Sequence, residues 1–125
     1  MRQSDKTEIK LTLTEEQAKI VSNACDLYAR VRCGQFKEIV WYTLDNDLPT
    51  DNFFDRADEA GRLLLEARKK IYPELVGAGH SYGIGKFEDA DIAYDVYQLL
   101  RVLFGDKRTP FSFRELPKAE RIDKK

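Results

Sequence analysis

The residues best equipped for chemistry in this chain gather at positions 77–86, which read Gly77-Ala78-Gly79-His80-Ser81-Tyr82-Gly83-Ile84-Gly85-Lys86. Four of the seven glycines fall there, together with the one histidine. Glycines let backbone N–H groups come close to a phosphate, and the run leads into a helix start near Glu88, where the dipole favours anions. Glu88, Asp89 and Asp91 occupy that first turn and offset the dipole. The spacing is not the dinucleotide fingerprint, which wants G-x-G-x-x-G between a strand and a helix. It is not a P-loop either, since no Gly-Lys-Ser/Thr follows. A flexible connection needing positive φ accounts for the glycines as well as a site does. Tyr82, Ile84 and Phe87 favour the site, because a connector is usually polar and these offer an aromatic and an aliphatic surface.

His80 stands beside Ser81, yet no Gly-x-Ser-x-Gly elbow accompanies the pair. The partners of a triad normally come from distant segments. His80 is therefore read as bonding within the loop or touching a ligand, and no catalytic residue is assigned. No Cys/His cluster has zinc spacing and no carboxylates follow a calcium-loop pattern, so neither metal nor cofactor is expected. Further on, Tyr94, Gln98 and Arg101 fall at i, i+4 and i+7 of a helix. An arginine there can fork onto a phosphate and a tyrosine can stack on a ring. An arginine snorkelling at a subunit seam, or a surface salt bridge, fits the same spacing. Lys107, Arg108 and Arg114 add positive charge for the same anion.

The elements that must hold these residues follow from periodicity. Residues 7–14 alternate, with Ile9, Leu11 and Leu13 on one side, which is the period of a strand. Thr14-Glu15-Glu16-Gln17 is a capping box. It opens a helix to about Cys33, with Val21, Ala24, Cys25, Tyr28 and Val31 as its apolar stripe and Gly34 as its stop. Residues 35–44, with Phe36, Ile39, Val40 and Trp41, have an ambiguous period and lean towards helix. Asp45-Asn46-Asp47-Leu48-Pro49 is a turn by composition. Thr50 or Asp51 can cap the next helix, about 51–72, whose stripe is Phe54, Ala57, Gly61, Leu64, Ala67 and Ile71. Gly61 in mid-helix costs about 1 kcal/mol against Ala, which close approach of another helix would offset. A last helix, about 88–104, sets Ala93, Val96, Tyr97, Leu100 and Phe104 on one side, and Gly105 ends it. Phe111-Ser112-Phe113 has a strand pattern and can pair with residues 10–13. The expected fold is α+β, mostly α: three main helices, a short one and a small antiparallel pair of terminal strands, with the helices mediating oligomerisation.

Composition sets the class. At 125 residues with 42% hydrophobic content the chain is one domain, 1–125, with a core of its own and ends frayed at about 1–6 and 118–125. The net charge of −1, from 21 basic against 22 acidic residues, is a poor match for a general nucleic-acid binder. No DNA or RNA polymer is expected as partner. No stretch reaches the roughly 20 apolar residues of a membrane span, and no signal-peptide pattern opens the chain. Cys25 and Cys33, eight residues apart on one helix, sit about 12 Å apart, too far for a disulfide. They are expected to be reduced thiols of a cytosolic protein.

Several strings carry a resemblance: Leu11-Thr12-Leu13-Thr14-Glu15-Glu16-Gln17, Gly34-Gln35-Phe36, Tyr72-Pro73-Glu74-Leu75, Ser81-Tyr82-Gly83-Ile84-Gly85, and the run from Asp91 through Tyr94-Asp95-Val96-Tyr97-Gln98 to Arg101. Over roughly residues 9–113 the sequence resembles small phage and prophage proteins, and within them the first Thoeris anti-defence family. That resemblance implies a sponge in the cytoplasm of an infected bacterium. Such a protein holds cyclic ADP-ribose isomers, in some members also cyclic oligonucleotides, without cleaving them, and assembles as a dimer or higher homo-oligomer. The residues read as a ligand site are those of the glycine loop (Gly79, His80, Ser81, Tyr82, Gly83, Ile84, Gly85, Lys86) with Tyr94 and Gln98, and the resemblance implies an aromatic and arginines in such a pocket. Tyr82 would be its aromatic, and Arg101, with Arg108, would meet the pyrophosphate. The alternative reading is a protein–protein inhibitor or adaptor that docks residues 36–41 and 82–87 on a host protein.

Overall fold

A computed structural model describes residues 7–44, 52–106, 108, 110 and 112–124. Four helices follow in order: α1 (Glu15–Arg32), α2 (Glu38–Thr43), α3 (Phe53–Ile71) and α4 (Glu88–Leu103). The capping box forms as the sequence demands: the Thr14 hydroxyl accepts from the Gln17 N–H at 3.1 Å, and the Gln17 side chain accepts from the Thr14 N–H at 2.9 Å. Gly34 ends α1 at φ 96°, and a Cβ there would lie 2.5 Å from Leu75 Cδ1, so both conformation and space require glycine. Thr50 and Asp51, the expected caps of α3, lie outside the described residues, as does the 45–49 turn. α3 starts behind Asn52, which is left-handed at φ 69°. What approaches Gly61 is no helix backbone but the Lys37 side chain, whose Cε would stand 3.1 Å from an added Cβ.

α1 and α4 pack antiparallel. Tyr28 and Arg32 at the end of α1 both bond Asp89 at the start of α4, and Lys19 lies 5.8 Å from the Phe104 ring at the other end. Ala29, Cys33 and Ala90 make the small apolar centre, with Tyr82, Phe87, Ala93 and Tyr94 against it. Both cysteines are free thiols, and burial pushes each above its ordinary value.

The expected strand pair is not there: among the described residues the chain is helical, with no strand. Ile9 and Leu11 are 91% and 71% exposed and only Leu13 is partly buried, so the alternation of residues 7–14 makes no buried face. Phe111 lies outside the described residues. The N–H of Phe113 donates to Asp95 Oδ1 at 2.9 Å, and those of Arg114 and Glu115 to Asp95 Oδ2 at 2.8 and 2.9 Å. One carboxylate thus takes the Phe113 N–H, a donor that a ladder could have used, and the two N–H groups that follow it.

The buried faces also differ from the apolar stripes. In α1 the most buried positions are Ser22, Asp26 and Ala29, and in α4 Ala90, Asp91, Asp95 and Gln98. Tyr28 on the expected stripe stays 49% exposed. Burying polar groups is tolerated only when each is partnered. Asp26 is: it accepts from Tyr42 Oη at 2.5 Å and Arg30 Nε at 3.0 Å. Among the described residues no helix is long and apolar enough to cross a membrane.

Candidate functional site

The glycine loop is shaped by a residue that sequence reasoning passed over. Arg68, in the last turn of α3, is 3% exposed. Its Nη1 donates to the carbonyls of Gly34 (3.3 Å) and His80 (2.7 Å), and its Nη2 to those of Leu75 (3.3 Å) and Gly77 (2.6 Å). Among the described residues its partners are carbonyls and no carboxylate, and its buried Nε has none. One planar fork thereby ties the end of α1 to both ends of the 77–80 turn. The only sequence signal was an arginine at a helix end, which reads equally as a dipole-facing surface residue.

The clamp has a consequence for the loop's donors. In a trans peptide the carbonyl and the next N–H point in opposite directions. With the Gly77 and His80 carbonyls drawn to the guanidinium, the Ala78 and Ser81 N–H groups face away from it. Among the described residues neither they nor the Gly79 N–H has an acceptor, while the His80 N–H closes the turn onto Gly77 O at 3.0 Å. These residues line a cleft of about 370 Å³ with Gln35, Phe36, Lys37 and Arg68. Among the described residues Lys37 has no ion pair, and the cleft's one carboxylate, Glu38, meets Arg30 at 3.4 Å. The cleft is therefore rich in donors and positive charge and poor in acceptors, the complement of an anion. The expected loop residues Gly79, His80 and Ser81 are together here.

The second half of the loop faces a different environment. The Tyr82 N–H donates to Cys33 O at 2.8 Å, and its ring stands edge-on to Tyr72 at 5.4 Å and to Phe87 at 5.2 Å. Lys86 Nζ lies 5.6 Å from the same ring. The ring is thus part of the aromatic packing, half-buried, and not an open platform. Arg32 completes this cluster: its guanidinium lies 3.7 Å from the Phe87 centroid and bonds Tyr72 Oη at 2.6 Å. Asp89 takes bonds from Tyr28 at 2.8 Å and Arg32 at 3.2 Å, and these, the Tyr28 hydroxyl foremost, hold its carboxyl below the usual range. Gly83 and Ile84 are exposed, and Gly85, at φ 102°, donates its N–H to Asp91 Oδ1 at 2.8 Å. Asp91 is 1% exposed and also holds Arg114 Nε at 3.1 Å. Asp91 therefore turns inward and does not cap the helix start, and it brings Arg114 to the loop.

The Tyr94, Gln98 and Arg101 strip is not brought to the loop. Arg101 lies 13 residues along α4 from Glu88, about 20 Å at 1.5 Å per residue. Gln98 is 5% exposed and accepts from Arg101 Nε at 3.1 Å. Arg101 pairs with Asp106 at 2.8 Å, and Arg108 pairs with the same carboxylate at 2.7 Å. These arginines, Arg108 foremost, hold the Asp106 carboxyl far below the usual range. Tyr94 packs 6.1 Å from Tyr97 and 6.4 Å from Phe113. The strip faces inward, and its charges are already met. The cations that the fold sets beside the loop are Arg68 and Lys37, with Arg32 and Arg114 also near it but paired with Asp89 and Asp91.

Among the described residues no group of three or more His, Cys, Asp or Glu could hold a metal ion. No protein-family model, curated protein or solved structure matches the chain.

Proposed function

We propose that this protein binds a small anionic nucleotide and holds it without cleaving it, with the ligand's phosphate in the cleft between residues 34–38 and 78–81. The observation that carries the reading is the set of unbonded N–H groups of Ala78, Gly79 and Ser81 beside Lys37, over a guanidinium with no counter-charge. His80 and Ser81 add side-chain donors at the rim. The resemblance to Thoeris anti-defence sponges supplies the ligand class: a cyclic ADP-ribose isomer or a cyclic oligonucleotide of a bacterial immune response, sequestered for a phage. Tyr82 supports the loop from behind in this reading. Arg32 and Arg114, on that side, are paired with Asp89 and Asp91 and leave the charge of the cleft to Arg68 and Lys37.

Isothermal calorimetry with several cyclic ADP-ribose isomers and a cyclic dinucleotide tests it. Binding at micromolar protein is expected, and heating the complex should return the ligand intact. No binding to any of them removes the reading. Recovery of a cleaved product would make the protein an enzyme instead.

A further inference from the structure

A glycine in mid-helix weakens the helix, so its presence asks for something that uses the space a side chain would fill. Gly61 is the one glycine inside a described helix, and it is buried. Its φ is not positive, so conformation makes no demand for glycine there. The space is used by Lys37. The three heavy atoms nearest to an added Cβ are all in that side chain: Cε at 3.1 Å, Cγ at 3.8 Å and Cδ at 3.9 Å. Gly61, Leu65 and Arg68 fall at i, i+4 and i+7 on one face of α3. Leu65, Arg68 and Lys37 all line the anion cleft. The lysine stem therefore lies on α3 one turn before the helix reaches the cleft.

We propose that Gly61 is a positioning residue for the anion site: the bare patch it leaves on α3 seats the Lys37 stem and keeps the ammonium at the cleft. The assignment rests on the anion reading of that cleft. Lys37 is exposed, and a lysine head in water roams through many rotamers unless its stem is held. Nothing acidic holds it among the described residues, because Glu38, the cleft's one carboxylate, meets Arg30 at 3.4 Å. Both Nη groups of Arg68 donate to carbonyls, so Arg68 acts on a ligand through its field. Lys37 is the cation of the cleft with donors to give to a phosphate. Alanine at position 61 would make a better helix and a worse seat.

Inorganic pyrophosphate is the probe, since it offers phosphate charge and no base. In calorimetry on the full chain, Gly61→Met, which lays an unbranched side chain where the stem lies, should weaken pyrophosphate about fivefold, the upper range for one exposed charge pair. Lys37→Ala should lose a similar factor, and adding Gly61→Met to it should lose nothing more. The salt dependence of affinity should flatten alike in all three variants. An equal loss from Gly61→Met with and without Lys37 overturns the proposal, because Gly61 then acts through the fold alone. Undiminished affinity in either single variant overturns it too. Thermal unfolding adds a readout that needs no ligand. Gly61→Ala should raise the melting temperature more in the Lys37→Ala background than in wild type, since only there does the better helix residue meet no stem. Equal rises overturn the seat itself. If the rises differ but wild type binds no pyrophosphate, the anion reading falls, and with it the role given to Lys37, while its seat on Gly61 stands.

Discussion

A methyl group added at Gly79 or Gly83 would meet no atom within 4 Å, and neither residue has a positive φ. The fold therefore makes no demand for glycine at either position, in contrast to Gly34 and Gly85. Close approach of something outside the chain is a sufficient reason for the first pair. Gly79→Ala should leave the melting temperature unchanged or slightly higher, yet reduce nucleotide affinity about tenfold or more, since the methyl enters the cleft beside the loop's free N–H groups. Calorimetry and thermal unfolding on the same sample separate the two effects. Gly34→Ala should behave oppositely. It strains φ and collides with Leu75, and should cost about 2–4 kcal/mol in urea unfolding. Arg68→Lys keeps the charge and loses the fork. With four carbonyls to satisfy, the variant should lose about 2 kcal/mol or more, and binding should fall with the loop's order.

At the scale of elements, the helices were legible where a boundary has a chemical cause, as at the Thr14/Gln17 box, the left-handed Gly34 and the Gly105 stop. The strands were misread because alternation reports only that a face could be buried, and nothing in residues 7–14 says whether a partner exists. The α4 face was misread for a related reason. Asp91 and Asp95 look like surface acids until Gly85, Arg114 and the 113–115 N–H groups are seen to come to them from outside the helix. Arg68 escaped notice likewise, since its partners are backbone carbonyls that leave no trace in a side-chain pattern. Asp95→Ala should thus free the segment after α4, seen as faster amide exchange at 113–115 and a stability loss of about 2 kcal/mol or more. Asp89 gives a pH signature. Its carboxyl is held below its unfolded value, so its contribution is present above that value and is lost as pH falls through the lower folded one. The melting-temperature gap between wild type and Asp89→Asn should be full near neutrality and close in strong acid.

For the whole molecule, the apolar surface left open on α2 and α3 is the telling quantity. A chain this size should bury about two-thirds of its unfolded surface, but Phe54, Leu63 and Ile71 along α3 and Trp41 on α2 remain more than half exposed. Stability should therefore depend on concentration. The melting temperature should rise on going from low to high micromolar wild type and stay flat for Ile71→Glu.

The Arg68 clamp has one more consequence, in how the molecule comes apart. It joins a cation to neutral dipoles and has no counter-ion, so simple salts that loosen Arg32–Asp89 and the surface pairs by screening should barely touch the loop. Guanidinium chloride is another matter, since its cation is the head group of the clamp itself and competes for the same carbonyls. The loop should open in guanidinium before the α1–α4 pair does, whereas in urea or sodium chloride it should outlast the exposed ion pairs.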